Sequence, residues 1–337
     1  MKAIVQDGAR KRLFRTFIVV ALFTVFLASQ VGAVDKVKVA YLPALSFSPL
    51  FLAIEKGFLK EQGIEAEMLD MGGGQQMMLA LAAGEIQVAS AAATAGFYNL
   101  IAKATDLRIV ADKGQISKQE NFVPVVVRKE LYDSGEVRTP KDLMKLKIAQ
   151  FNKASISEFV LWKLIEPYGK RYQDLNLVYL FPPQQYTALK TGAVQAAVTV
   201  EPWGSRMEAE GFGKILERGT SWLTRPVFQI AVIMYSGKFI GSSPQVAQRM
   251  MNAYVRGLKY HNAKGYGDAD VQMAVSKWTK VAPDVIGKAI PTVFSKDGRV
   301  DVPSLDEQQR WFLAMGYLKE LLPTEKWVDM SFVDKAQ

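Results

Sequence analysis

Residues 37–48 read VKVAYLPALSFS, and 109 positions later residues 146–157 read LKIAQFNKASIS. Lys38/Lys147, Ala40/Ala149, Ser46/Ser155 and Ser48/Ser157 are identical, and Val or Leu against Val or Ile fills the apolar positions. A second pair lies at offset 108: LALAAGEIQVAS (79–90) against TALKTGAVQAAV (187–198), sharing Ala80/Ala188, Leu81/Leu189, Gly84/Gly192, Gln87/Gln195 and Ala89/Ala197. Two matches in the same order at a consistent offset indicate an internal duplication. The chain is therefore expected to fold as two similar α/β lobes, each with its own strand–loop–helix mouth.

The local chemistry of the first mouth supports this. Val37, Val39 and Tyr41 alternate with Lys38 and Ala40, which suits a strand. Ser48-Pro49 is a helix-start signal, since Ser can cap free backbone N–H groups and Pro is pre-set for the first turn. A loop between a strand end and a helix N-terminus can hold a small polar or anionic ligand on backbone amides.

Outward from the repeats, residues 49–60 read as one helix, 64–71 as a strand and 75–83 as a helix. The triple glycine at 72–74 either makes a turn needing unusual dihedrals or lets backbone approach a ligand. It is not a phosphate loop, because no Gly-Lys-Ser/Thr follows. Strands are expected at 86–89 and 107–111, with Ser90 and Thr94 as possible caps of the next helix. Residues 122–128 (FVPVVVR) hold a Pro, which suggests an edge strand or an irregular crossing between lobes. In the second half a strand at 146–150 precedes a helix at 158–168, where Ser155 and Glu158 fit a capping box. A strand at 176–180, a Pro-Pro-Gln-Gln loop, a helix at 186–191 and a strand at 194–200 follow. Residues 227–235 (VFQIAVIMY) read as the return crossing. Helices starting at Ser243-Pro244 and at Ser304 have no repeat partner, and form a C-terminal extension on one lobe. The first of them carries Ala247, Met250, Met251, Tyr254 and Leu258 on one face.

At 337 residues there is room for two domains and a large core. Net charge is +9, but Lys2, Arg10, Lys11, Arg12 and Arg15 against Asp7 supply +4 of it within residues 1–33. The remaining +5 is a mild basic bias without a Lys/Arg run, which excludes nucleic-acid binding on charge pattern and favours an anionic ligand only weakly. The first 33 residues have the shape of a secretory signal peptide: basic residues, the apolar run 17–28, and Val31-Gly32-Ala33 as a cleavage site near Ala33. A run of twelve residues is too short to span a bilayer. With no cysteine, the chain has no disulfide, thiol chemistry, Cys-based metal site or N-terminal lipid-anchoring cysteine, so a free periplasmic location is expected.

The stretches KVKVAYLPALSFSPLFLAIEKGFLKEQGIEAE, GGGQQMMLALAAGEIQVA, KDLMKLKIAQFNKASISEFVLWKL and ALKTGAVQAAVTVEPW, in this order behind a signal peptide, carry a likeness. The chain resembles the substrate-binding proteins of ABC importers, in the nitrate/sulfonate/taurine and thiamine-precursor (NMT1-like) superfamily, over residues 34–337. The resemblance implies an α/β two-lobed type II periplasmic-binding-protein fold with a ligand cleft between lobes and a C-terminal helical extension. The expected layout is 1–33 signal peptide, 34–121 lobe one, 122–228 lobe two and 229–337 back in lobe one. It also implies a monomer that captures a small organic molecule, a sulfonate, carboxylate or related anion, by lobe closure, and passes it to membrane permease subunits. No cofactor or metal is implied.

Ligands in open α/β sheets sit beyond the carboxyl ends of the strands. The loops there nominate Ser46, Phe47, Ser48, Gly73, Gln75, Ser90 and Thr94 in lobe one. In lobe two they nominate Lys153, Ser155, Ser157, Gln184, Glu201 and Trp203, with Lys113 and Gln229 near the hinge. Ser hydroxyls and helix N-termini would orient an anion with Lys153, while Phe47 and Trp203 would wall its apolar part. Each has a plainer reading: Phe47 and Trp203 as core, Lys153 as a solvated charge, Ser155 as a cap, and Glu201 as the holder of the turn before Pro202. The expectation is that both mouths, 46–48 and 155–157, are needed together. Two alternatives stand beside the importer subunit. One is a sensory subunit that binds in the same way, and the other is a thiamine-pyrimidine type enzyme. The enzyme reading is disfavoured by the absence of cysteine and by a single histidine, His261, with no nucleophile signature beside it.

Overall fold

Two five-stranded sheets form, and their strand orders are copies of one another. The computed structural model describes residues 34–336 apart from Gly73, so the expected signal peptide and Gly73 itself lie outside the described residues. The first sheet has the order β2-β1-β3-β10-β4, from β1 (Asp35–Tyr41), β2 (Ile64–Asp70), β3 (Val88–Ala91), β4 (Leu107–Ser117) and β10 (Val227–Ser236). The second has the order β7-β6-β8-β5-β9, from β5 (Val125–Arg128), β6 (Lys147–Gln150), β7 (Asn176–Tyr179), β8 (Ala196–Val198) and β9 (Gly213–Ile215). In each, the strand that carries the chain in from the other lobe runs antiparallel between two neighbours.

The repeated residues occupy equivalent places. Ala40 pairs with Ala89 in the first sheet and Ala149 with Ala197 in the second, both parallel. Gln87 Oε1 accepts the Lys38 backbone N–H at 2.9 Å, and Gln195 Oε1 accepts that of Lys147 at 2.9 Å. Gly84 and Gly192, at φ +70° and +78°, end the helices Gln75–Ala83 and Pro182–Lys190 in the left-handed conformation that glycine adopts without strain. Much of the duplication signal is thus scaffold: it sets register and stops helices.

Several local expectations change. The helix expected at 49–60 breaks at Gly57 (φ +77°) into Ser48–Glu55 and Phe58–Glu61. The Pro-Pro-Gln-Gln stretch is the first turn of helix Pro182–Lys190 rather than a loop, with Gln184 Oε1 accepting the Phe181 N–H at 3.1 Å. Residues 122–128 are neither an edge nor irregular throughout: β5 is paired on both sides, and Pro124 stands one residue before it with its carbonyl accepting from Thr199 N at 3.1 Å. β4 does not stop at Ala111 but continues to Ser117 through register shifts against β10.

The lobes are joined by the two crossings, residues 118–124 and 216–226, which bond to each other through Asn121 N to Arg218 O (2.9 Å) and Thr220 N to Lys118 O (3.0 Å). All five apolar residues expected on one face of the helix from Pro244 are buried in helix Pro244–Lys264. The C-terminal extension does not keep to one lobe, however. Helix Val302–Ala314 reaches across, and its Trp311 ring lies 5.6 Å from Phe159 of the lobe-two helix Ile156–Ile165. Phe159 in turn stacks on Phe228 of β10 at 5.2 Å. One apolar cluster therefore runs from Phe97 and Tyr98 through Phe122 and Phe228 to Phe159 and Trp311.

Candidate functional site

The carboxyl ends of the parallel strands of the two sheets face one another, and the loops after them meet. Leu45 N donates to Glu201 O at 2.8 Å, and the Trp203 indole Nε1 donates to Pro43 O at 2.8 Å. On the other side Ala95 N donates to Ala154 O at 3.1 Å. Leu45 and Ala154 are one repeat apart, so each mouth docks on the loop after the third strand of the opposite lobe. Residues 46–48 and 155–157 do not bond to each other.

Beside the Ala95–Ala154 contact lies a cavity of about 570 Å³, lined from lobe one by helices Gln75–Ala83 and Ala95–Ala102 and from lobe two by Asn152, Lys153 and Ala154. Tyr317 of the C-terminal extension completes the wall. Two helix N-termini line it, Gln75 and Ala95 behind its cap Thr94, and Ala154 lies two residues before a third, that of Ile156–Ile165. The positive end of a helix favours an anion; here Ala95 N is bonded to Ala154 O, Phe97 N to Thr94 Oγ1, and the Glu158 carboxylate occupies the first turn of Ile156–Ile165. Lys103 and Lys153 add two full charges, and no carboxylate is among the lining residues. Met78, Leu79, Leu100 and the Tyr317 ring supply apolar wall. A second cavity of about 340 Å³ lies between Leu42, Pro43 and residues 70–72 of one lobe and Phe181–Gln184 of the other, numbered 181–184.

Of the residues expected at the site, Gln75, Thr94 and Lys153 line the larger cavity and Gln184 the smaller. Thr94 also caps its helix, its Oγ1 accepting from Phe97 N at 3.3 Å. The remaining described ones are buried. Phe47 is fully enclosed, its ring 5.8 Å from Phe51 and 6.0 Å from Tyr41. Ser46 is buried beside Gly114. Ser48 is the first residue of its helix rather than its cap, with Oγ 3.1 Å from His261 Nδ1 and 3.2 Å from Tyr266 OH. Ser155 donates to Asn152 O at 2.6 Å and lies 2.9 Å from Ser157 Oγ. The Ser155/Glu158 capping box does not form as expected: the Glu158 carboxylate reaches past Ser155 and accepts from Ala154 N at 2.9 Å.

Glu201 gives both carboxylate oxygens to Ser205, accepting from its N–H at 3.0 Å and its Oγ at 2.9 Å, and so holds the turn at Pro202. Its burial pushes the carboxyl up to about 7. Ser90 Oγ and Thr199 Oγ1, at the ends of the third strands, are buried with no hydrogen-bond partner. Lys113 sits where a register shift leaves it unpaired against β10, and a bulge there re-aims its side chain. Its ammonium lies 3.6 Å from the Phe47 ring centroid, and burial lowers its pKa well below the usual lysine range. Gln229 is saturated within the hinge: Nε2 donates to Asp112 Oδ1 (2.6 Å), Gly114 O (3.2 Å) and Ala231 O (2.7 Å), while Oε1 accepts from Gln115 and Asp301. Asp112, pushed up to about 6 by burial, ties this network to Ser295 N at 2.8 Å.

The polar side chains lining the larger cavity that were not foreseen are those of Asn99, Lys103, Asn152 and Tyr317. Gly96, Asn99, Leu100 and Lys103 follow the cap Thr94 at the three- and four-residue spacing of one helical face, a pattern visible in the sequence. Tyr317 lies far away in sequence and carries no local signal. His261 has the neighbour that the sequence did not suggest, Ser48. The pair is buried with Tyr266, which donates to Leu45 O at 2.9 Å, and burial lowers His261 to about 4. It joins helix Ser48–Glu55 to helix Pro244–Lys264 inside lobe one.

Two paired α/β sheets, two crossings and a cleft at the facing strand ends define the two-lobed type II periplasmic-binding-protein fold. The chain belongs to the NMT1-like family, whose model matches residues 32–278. No curated protein sequence matches it. Among solved structures it is similar to the ligand-binding component of an ABC-type import system from Staphylococcus aureus, solved with zinc bound. The TM-score is 0.73 at 16% identity, covering 90% of this chain and 99% of that one. It is also similar to the alkanesulfonate-binding protein SsuA from Xanthomonas axonopodis pv. citri bound to MOPS (TM-score 0.68, 20% identity, 88% and 100% covered). The same fold houses the desulfurization enzyme DszB (TM-score 0.64, 16% identity, 90% and 98% covered). Among the described residues no helix is long and apolar enough to cross a membrane.

Proposed function

We propose that this chain is the periplasmic solute-binding subunit of an ABC importer, and that it captures a small organic anion, a sulfonate or carboxylate with an apolar body, between its lobes. The observation that carries this reading is the larger cavity. The N-termini of helices Gln75–Ala83 and Ala95–Ala102 and two lysines, Lys103 and Lys153, line it with no carboxylate among the lining residues, and Met78, Leu79, Leu100 and Tyr317 form the rest of its wall. Helix N-terminal amides and ammonium groups suit a sulfonate or carboxylate head, and the apolar wall suits its carbon tail. The likeness to the importer component and to the alkanesulfonate-binding protein supports the same assignment.

In this mechanism one open lobe takes the anion first. Rotation about the two crossings then closes the other lobe over it, and the permease reads the closed form. The reading is of a binding protein, not an enzyme: the Ser48–His261 contact is sealed inside lobe one, away from both cleft cavities.

Native mass spectrometry of the protein purified from its own periplasm tests the assignment. A retained adduct that fragments as an organic anion is expected. An adduct that is a cation or an uncharged sugar, or turnover of a sulfonate or sulfinate by the purified chain, would contradict it.

A further inference from the structure

Ala154 is one of three described non-glycine residues with a left-handed backbone, at φ +54°. An L-residue with a Cβ disfavours this conformation by a factor of about 5 to 30 relative to the right-handed basin. Something must hold it, and the neighbouring bonds show what does. Ala154 N donates to Glu158 Oε2 at 2.9 Å, and the other carboxylate oxygen, Oε1, accepts from Tyr179 OH at 2.6 Å. Glu158 is fully buried on the first turn of helix Ile156–Ile165, so its carboxylate is fixed against two donors. With the backbone so turned, Ala154 O accepts from Ala95 N at 3.1 Å across the cleft. Asn152, Lys153 and Ala154 together form the lobe-two wall of the larger cavity.

We infer that Glu158 is a positioning residue for lobe closure: its carboxylate, steadied by Tyr179, locks Ala154 in the left-handed conformation that lets lobe two bond to Ala95 and present residues 152–154 to the cleft. The device is absent from lobe one. The offset of 109 places Pro49 opposite Glu158 and Leu45 opposite Ala154, and Leu45 starts a short helical turn with no carboxylate behind it. The duplication breaks at the point where the two mouths do different work.

Ala95 is the first residue of helix Ala95–Ala102, and its N–H has no acceptor within the helix, so its hydrogen exchange reports the cross-lobe bond itself. The test is amide-resolved hydrogen exchange of the ligand-free full chain. Glu158→Ala should speed Ala95 exchange by about 5- to 30-fold. Adding Ala154→Gly to that variant should restore protection to within about twofold, because glycine adopts φ +54° at no steric cost. Glu158→Gln, whose amide oxygen still accepts from Ala154, should keep Ala95 protected and serves should the alanine variant not fold. Unchanged Ala95 exchange in a folded Glu158→Ala chain, or failure of Ala154→Gly to rescue it, overturns the inference; so does loss of protection in folded Glu158→Gln. The link to ligand rests on the function proposed above, and 1-butanesulfonate is the probe for that link. Its affinity should fall and recover with Ala95 protection, while a lack of sulfonate binding by the unmodified chain would sink the ligand class and leave the exchange result to judge Glu158.

Discussion

Glu201, whose carbonyl accepts from Leu45 N across the lobes, offers a sharp quantitative test of how that contact is built. Its carboxyl is fully buried, accepts only from Ser205 among side chains, and is raised from 4.5 to about 7 by burial. The folded state therefore holds this proton to about pH 7, whereas the unfolded chain releases it near 4.5. The stabilisation linked to that proton is full below pH 4.5 and is lost as pH rises through 7. A pKa raised by that much makes ionising Glu201 in the fold cost about 3 kcal/mol relative to the unfolded chain. Glu201→Gln has the same shape, can accept from Ser205 N with its oxygen and donate to Ser205 Oγ with its nitrogen, and cannot ionise. The variant and the original should melt together at pH 4.5. At pH 8 the variant should melt higher by about 5 °C for a body of this size. Asp112, also raised by burial, adds its own decline with pH to both proteins and drops out of the difference. Calorimetry of the pair from pH 4.5 to 8 is the assay. Equal melting at every pH, or a less stable Gln variant at pH 8, would refute the claim that burial dominates this carboxyl.

Other expectations follow from the same contacts. Gln87→Ala and Gln195→Ala each remove one 2.9 Å acceptor of a strand N–H, so each should cost about 1 kcal/mol in urea unfolding, and by similar amounts because the bonds are equivalent. A large inequality would show that the repeat does not do the same work in both lobes. Gly219→Ala would place a Cβ 2.3 Å from Lys118 O and push the two crossings apart, weakening the Asn121–Arg218 and Thr220–Lys118 bonds. A loss of about 2–3 kcal/mol is expected, and stability unchanged by the substitution would mean that the crossings are not clamped together.

The sequence made the duplication legible because a shared register leaves the same residues at the same places: Lys38 and Lys147, Gln87 and Gln195, Gly84 and Gly192. Those residues proved to be scaffold, and the polar side chains lining the larger cavity lie beside them: Gln75, Thr94 and Lys153, which the loops nominated, and Asn99, Lys103, Asn152 and Tyr317, which they did not. Repeats expose what two lobes have in common, while a ligand site between lobes need not be symmetric. Helix boundaries failed where one glycine or one proline pair decided the backbone, as at Gly57 and Pro182-Pro183. The burial of Ser48 against His261, and the reach of Trp311 onto Phe159, depend on segments more than 150 residues apart, and no local pattern encodes them. Thr94 was readable as both cap and cleft residue because one hydroxyl at a helix start serves both.

The central claim is that the cleft between the lobes recognises an anion with an apolar tail. Isothermal titration of the full chain with 1-butanesulfonate and, separately, with 1-butylamine tests it most directly, repeated on the double substitution of Lys103→Ala and Lys153→Ala. The sulfonate should bind and the amine should not, and the double variant should bind the sulfonate about 10-fold or more weakly, two charge-assisted contacts being lost. Binding of the amine as tightly as the sulfonate, or sulfonate binding indifferent to both lysines, would contradict it.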